Sequence, residues 1–324
     1  MSMEPRTPVI KPDRGFLART PLPVHNLMRV DLLAGTVYAP VTMPPRAPPI
    51  LVFDSGLGGL TVHAEIAKAR PDARYIYVAD NAGFPYGRFA EADLAERVTA
   101  LMGRLIARHG PDLVVVACNT ASTVNVVLPH LRAHFDVPFV GTVPPIKPAA
   151  ALSRSRLISV LATPGTVARA YTKSLVDAHA GECRVTLVGS PRLAELATAE
   201  LCGEPVSDDD VLAEIAPAFV EAGAARTDVV ALGCTHYPLL LPRFQRLAPW
   251  PVTWIDPAPA VARRVVQLLG DALAGRSARD GASLAVFTNG TTIGPRLRLA
   301  LAERGLSGIA HEPAPLAATL TPQA

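Results

Sequence analysis

Twice in this chain an aspartate opens a run of four apolar residues that closes on a small residue and a cysteine. One copy is Asp112-Leu113-Val114-Val115-Val116-Ala117-Cys118; the other is Asp228-Val229-Val230-Ala231-Leu232-Gly233-Cys234. Apolar runs of this length without polar alternation belong to strands buried on both faces, as in a parallel sheet covered by helices. Polar residues follow each cysteine, Asn119-Thr120 in the first copy and Thr235-His236 in the second. Each thiol therefore stands at the carboxyl end of a predicted strand, the edge where open α/β sheets bind ligands. Two similar halves facing each other would set the two cysteines on opposite walls of one cleft.

The flanking sequence keeps the same rhythm. A strand over 50–53 ends at Asp54-Ser55-Gly56, and helical spacing follows over 60–68. Further strands are predicted at 74–80, 113–117, 139–143, 157–161, 185–188, 229–232, 252–255 and 284–287. Apolar residues at 94, 98, 101, 102, 105 and 106 give a helix over 89–108, which Gly110-Pro111 stops. Strands alternating with helices argue for an α/β fold with parallel sheets. At 324 residues the chain is about two domains long. Residues 1–49 stand apart as a proline-rich extension, with a short strand or hairpin read at 30–41. The Pro- and Ala-rich tail over 311–324 reads as irregular.

Composition narrows the chemistry. A net charge of +3 and no basic run with interleaved aromatics give nucleic-acid binding little support. No apolar stretch reaches the roughly 20 residues of a membrane span, and the start of the chain lacks the pattern of a signal peptide. Cysteines at 118, 183, 202 and 234 form neither a C-x-x-C pair nor a zinc-ligand spacing, and read as reduced and cytoplasmic. The only lysines are Lys11, Lys68, Lys147 and Lys173, none in a context that suggests a Schiff base. The expectation is a chain that needs no metal and no cofactor.

A lone cysteine is more often a small buried hydrophobe than a reactive group, and Cys183 and Cys202 take that reading. Cys118 and Cys234 differ in their polar followers and shared strand-end placement. Helix-start amides would favour their thiolates and lower their pKa from about 8.5. Asn119-Thr120-Ala121-Ser122 suits a helix cap, and His236 is close enough to Cys234 to hold or relay a proton. Asp54-Ser55-Gly56-Leu57-Gly58-Gly59 is either a tight turn or a loop whose amides approach an anion.

Together these segments resemble glutamate racemase, within the aspartate/glutamate racemase superfamily. The resemblance rests on Phe53-Asp54-Ser55-Gly56-Leu57-Gly58-Gly59-Leu60-Thr61, Ala79-Asp80-Asn81-Ala82-Gly83-Phe84-Pro85-Tyr86-Gly87, Ala117-Cys118-Asn119-Thr120-Ala121-Ser122, Leu161-Ala162-Thr163-Pro164 and Gly233-Cys234-Thr235-His236-Tyr237-Pro238. It implies two similar parallel-sheet α/β domains with the active site in the cleft between them. The first would be 50–143 with 255–310, and the second 144–254. It implies racemisation of glutamate without a cofactor, Cys118 deprotonating D-glutamate and Cys234 L-glutamate. Asp54 and His236 would assist the respective thiols. Asp54, Ser55, Pro85, Tyr86, Gly87, Asn119, Thr120, Thr235 and His236 would bind substrate alongside the two cysteines. D-Glutamate for peptidoglycan biosynthesis would be the product.

Two departures accompany the match. Thr198 falls where the family often has a glutamate near the second cysteine, leaving His236, or Glu195 one turn earlier, to fill its role. The extension and Val143-Pro144-Pro145-Ile146-Lys147-Pro148-Ala149 resemble members that respond to a peptidoglycan precursor, which adds such an activator as a partner. Monomer and homodimer both stay open. The competing readings are an aspartate or other amino-acid racemase and a non-catalytic amino-acid-binding module.

Overall fold

The computed structural model describes residues 47–270, 282–290 and 293–313. By its contacts the chain divides into Met1–Pro44 and Pro45–Ala324, and both parallel sheets belong to the second unit. The element read at 30–41 lies outside the described residues.

Twelve strands alternate with helices among those residues: β1 (Pro49–Asp54), β2 (Arg74–Ala79), β3 (Leu113–Val116), β4 (Phe139–Gly141), β5 (Leu157–Ala162), β6 (Arg184–Gly189), β7 (Glu221–Ala222), β8 (Ala225–Arg226), β9 (Val229–Gly233), β10 (Thr253–Ile255), β11 (Leu284–Phe287) and β12 (Gly308–His311). Six form one sheet in the order β12-β11-β2-β1-β3-β4, and four form a second in the order β10-β9-β5-β6. Every pairing in both is parallel, whereas β7 and β8 make a small antiparallel hairpin.

The central strands β1, β3, β5 and β9 are buried at every position. Alternation survives in which core each side chain enters. Ile50 and Val52 pack into the core on one face of the first sheet, Leu51 and Phe53 into the core on the other. In the second sheet Val230 and Leu232 face one core, Val229 and Ala231 the opposite one. Full burial of such a side chain stabilises by about 1.5–3 kcal/mol, so both sheets need helices on both faces.

Strand order sets the ligand edge. β1 has β2 on one side and β3 on the other, so the winding reverses between β1 and β3. The second sheet reverses between β5 and β9 in the same way. Crevices of open α/β sheets form outside the carboxyl ends of strands at such reversals. β1 ends at Asp54 beside β3, which leads to Cys118; β5 ends at Ala162 beside Gly233, which precedes Cys234.

The chain crosses to the second sheet after β4 and returns after β10. The returning helix Ala258–Leu269 packs along the helix Gly59–Ala69, with Val261, Ala262, Val265, Leu60 and Ile66 in one core. Two ends differ from the sequence reading. Pro49 already belongs to β1, Pro48 accepts a hydrogen bond from the Arg74 amide, and Ala47 is buried. At the other end β12 runs through His311, and buried Glu312 pairs with Arg104 and Arg108. Gly-Ile-Ala-His offers only one β-branched residue, so that strand draws its order from partners distant in sequence.

Candidate active site

Asp54 is fully buried where β1 ends. Its Oδ2 accepts from the Gly56 amide at 3.1 Å and its Oδ1 from the Thr235 hydroxyl at 3.2 Å. One carboxylate thus ties the strand ends of the two sheets together.

A cavity of about 280 Å³ lies between these edges. Its walls include Ser55, Cys118, Asn119 and Thr120 from the first sheet and Cys234, Thr235 and His236 from the second. Pro85, Tyr86 and Gly87 complete it from the connection after β2. The residues singled out in the sequence are therefore brought together, with Asp54 just behind the lining. Cys183 and Cys202 lie elsewhere, half-buried, and all four thiols are free.

Both cysteines sit in the cavity wall at 5% and 6% exposure. Burial, then the charge of Asp54, pushes the Cys118 thiol up to about 11, against hydrogen bonds from the Ser55 hydroxyl and the Ala121 and Ser55 amides. Burial raises Cys234 as well, against the amides of His236 and Tyr237. The strand-end amides expected to favour thiolate are present, but desolvation outweighs them, reversing the expected direction. Burial also holds His236 below the ordinary histidine range, so its ring is neutral near pH 7.

Local hydrogen bonding departs from the sequence reading at the cap after Cys118 and narrows it at the glycine turn. Cys118 itself occupies the N-cap of the helix Asn119–Thr123, which has no side-chain cap. Ser122 turns back to the Val116 carbonyl at 3.0 Å. In the glycine turn, the Gly56 amide goes to Asp54 and the Gly58 amide to His236, so neither is open to a bound anion. On the helix Leu193–Cys202, Thr198 donates to the Ala194 carbonyl within its own helix, and Glu195 stands at the cavity mouth, over half exposed, 3.5 Å from Arg88.

Tyr86 is anchored from below. Its hydroxyl donates to Asp80 Oδ2 at 2.5 Å, and Arg97 grips both oxygens of Asp80 at 2.7 Å. The Thr288 hydroxyl, just past β11, adds a bond at 2.6 Å. Asn119, 2% exposed, has no partner for its side-chain oxygen or nitrogen. A buried amide with both ends unsatisfied suits a polar ligand, since leaving it unpaired costs roughly 1–3 kcal/mol.

The sequence reading gave no site role to Thr163 or Ser190, which also line the cavity. The Thr163 and Thr166 hydroxyls each stand 3.2 Å from the Thr120 hydroxyl. Both Thr163 and Ser190 follow strands of the second sheet, so the strand-end rule that found the cysteines would have found them too. Among the described residues no cluster of His, Cys, Asp and Glu is placed to hold a metal. No helix among them is long and apolar enough to cross a membrane.

Both the sequence and the fold match those of known proteins. The Asp/Glu/Hydantoin racemase family matches residues 60–265. A glutamate racemase of Brucella anthropi is 54% identical over 242 residues, covering 74% of this chain and 86% of the relative. One from Sinorhizobium medicae is 53% identical over 247 residues, 75% and 89% of the two chains. The crystal structure of Escherichia coli glutamate racemase, in complex with L-glutamate and the activator UDP-MurNAc-ala, superposes with a TM-score of 0.76 at 41% identity. That alignment covers 84% of this chain and all of the other.

Proposed function

Because the chain belongs to the Asp/Glu/hydantoin racemase family and is an amino-acid racemase, we propose that it interconverts L- and D-glutamate by a two-base mechanism in this cavity. The observation that carries the reading is the pair of thiols at the carboxyl edges of two facing parallel sheets, both lining one space.

Racemisation removes the α-proton from one face and adds a proton to the other. Cys234 as thiolate takes the proton of L-glutamate while Cys118 as thiol delivers one to the opposite face. The reverse direction begins with Cys118 as thiolate. After one turnover the two sulfurs have exchanged protonation states. Burial that raises both thiols makes each thiolate a stronger base once it forms. Ser55 and the Ala121 and Ser55 amides hold negative charge on Cys118; the His236 and Tyr237 amides do so on Cys234. Asn119, Thr120, Thr235, Ser55 and the Pro85-Tyr86-Gly87 backbone bind the substrate's carboxylates and ammonium, and Asp54 and His236 tune the two walls. No step calls on a cofactor or a metal.

In the cell we read the reaction as a cytoplasmic supply of D-glutamate for peptidoglycan. We further read 50–143 with 255–310, and 144–254, as the two domains that close on the substrate. A second cavity, about 400 Å³, lies beside the two crossings between the sheets, lined by Val143 through Pro148 with Lys147, His179, Arg263 and Arg264. Its cations suit a diphosphate, and we assign it to a peptidoglycan-precursor activator.

Circular dichroism of the purified protein with each enantiomer of glutamate and of aspartate tests the reading. Glutamate should lose its optical signal from either side, and aspartate should not. Cys118→Ala and Cys234→Ala should each abolish the change, whereas Cys183→Ala and Cys202→Ala should not. In deuterated water the product enantiomer should carry α-deuterium. Tight glutamate binding without α-proton exchange would instead make the protein a binding module.

A further inference from the structure

The wall behind Cys234 is held by a carboxylate outside the cavity. Ser190 follows β6, is 3% exposed and lines the cavity. All its polar groups are engaged. Its amide donates to the Ala162 carbonyl at 2.8 Å, and its hydroxyl oxygen accepts from the Leu193 amide at 3.1 Å. Its hydroxyl proton goes to Glu214 Oε2 at 2.5 Å, and its carbonyl accepts from the Tyr237 hydroxyl at 3.4 Å. Glu214 comes from the helix Asp208–Ile215 and also faces the Arg192 amide at 3.5 Å.

Tyr237 links this anchor to the thiol. It is fully buried, and its ring packs beside Phe244. Its amide donates to the Cys234 carbonyl at 3.2 Å, and with the His236 amide it also favours the Cys234 thiolate. A chain of contacts therefore runs from Glu214 through Ser190 and the Tyr237 side chain to the backbone beneath Cys234. The other polar side chains of the helix Leu193–Cys202 near this wall are engaged elsewhere, Glu195 with Arg88 at the cavity mouth and Thr198 with its own helix.

We propose that Glu214 is a positioning residue for the Cys234 wall, acting through Ser190 and Tyr237. The inference rests on the reading of Cys234 as an acid–base thiol. A hydrogen bond to a charged acceptor is roughly twice as strong as a neutral one, so Glu214→Gln loosens the anchor while keeping its shape. Ser190 then shifts, the Tyr237 hydroxyl loses its fixed partner, and the amide donors drift from the sulfur.

The test compares Glu214→Gln, Ser190→Ala and the double variant with the wild type. Racemisation is followed in both directions, and iodoacetamide labelling is resolved by mass spectrometry at each cysteine. Each single variant should lose about tenfold in kcat/KM, and the double variant should be no worse than Ser190→Ala. Labelling of Cys234 should slow several-fold while that of Cys118 holds. Unchanged kcat/KM in Glu214→Gln, additive losses, or a joint change at both thiols with a lowered unfolding temperature would overturn the proposal. If the wild type does not interconvert glutamate, the functional reading fails, yet the labelling still decides whether Glu214 governs the Cys234 wall.

Discussion

The backbone amide of Gly58 donates a hydrogen bond of 3.1 Å to Nε2 of His236, joining the glycine turn of the first sheet to the histidine of the second. An Nε2 that accepts leaves the proton of the neutral ring on Nδ1. Nδ1 stands 3.8 Å from Cys234 Sγ and 3.5 Å from the Thr235 hydroxyl oxygen. That hydroxyl spends its own proton on Asp54, so its oxygen can only accept, and the Nδ1 proton is shared between it and the sulfur until a thiolate, the stronger acceptor, draws it. His236 thus supports a Cys234 thiolate as a donor, where the sequence had suggested a group that holds or relays the proton.

His236→Asn should therefore slow the L-to-D direction by on the order of 10²-fold in kcat. The two enantiomers have equal free energy, so kcat/KM must fall by the same factor in both directions. Any asymmetry has to appear as compensating changes in kcat and KM. Steady-state assays from each enantiomer check this; an unaltered kcat from L-glutamate would remove His236 from the mechanism.

Gly58→Ala tests the same contact from the other side. A methyl group there would overlap the His236 ring and stand 2.5 Å from the His236 backbone nitrogen. Relief requires the two strand ends to separate. The variant should fold, since Gly58 has an ordinary helical conformation, but racemise at least tenfold more slowly, by roughly the catalytic share of one positioned proton donor. Wild-type activity would show that the turn and the histidine need not meet.

Most of the fold was legible because the strands are short, apolar and doubly covered. The runs ending at Cys118 and Cys234 point to parallel strands before any topology is known. The strand-end rule then places Asp54, Cys118 and Cys234 at one edge each. The balance of opposing effects at the thiols was not legible. Residue order shows that amides lie near a sulfur, but desolvation depends on how completely the opposite sheet covers it. Glu214 was hidden for a related reason: its link to Ser190 spans 24 residues and the link from Tyr237 to Ser190 spans 47, and no local pattern marks such contacts. Gly308–His311 escaped notice because its order comes from pairing with β11.

The Asp80–Arg97 pair should be the most costly polar contact to break beneath the cavity. Asp80 is fully buried, and the Arg97 side chain is 9% exposed. Among the described residues Arg97→Met leaves the Asp80 carboxylate with the Tyr86 and Thr288 hydroxyls alone, and loss of one partner of a buried pair costs about 3–5 kcal/mol. Urea unfolding should show that loss. KM for glutamate should rise as well, because Tyr86 and Gly87 line the cavity. A stable variant with a normal KM would mean that the loop is held by other contacts.

Alkaline pH should destabilise the protein through its buried thiols. The Cys118 thiol rises from 9.0 to about 11 on folding, and Cys234 shifts in the same direction. Between these values the unfolded chain has released a proton that the folded chain keeps. The stabilisation present below pH 9.0 is therefore lost as pH rises toward about 11. Tyr77, Tyr86 and Tyr237, raised by burial, add the same sign. Urea midpoints should fall between about pH 8 and 10, and Cys118→Ser should fall less steeply. A wild type that gains stability over this interval would contradict the burial of the thiols.

The second cavity makes the last prediction. It lies beside both crossings, Val143-Pro144-Pro145 on the way out and Ile255-Asp256-Pro257 on the return. A ligand seated there would bias how the two sheets approach each other, and with them the two thiols. Lys147, Arg263 and Arg264 are exposed, so a diphosphate can reach them without first breaking a buried pair. Adding a UDP-linked muramyl precursor should raise kcat for L-glutamate in the wild type. Lys147→Ala combined with Arg264→Ala should abolish that rise, and activity without the precursor should hold within about twofold, as for surface substitutions generally. Weakening by salt should follow, since contacts between exposed cations and phosphate are screened over about 8 Å at physiological ionic strength. Titration of the precursor against both proteins at low and high salt checks all three points. An activation that survives in the double variant would place the activator elsewhere, and no activation of the wild type would leave this cavity without the role assigned to it.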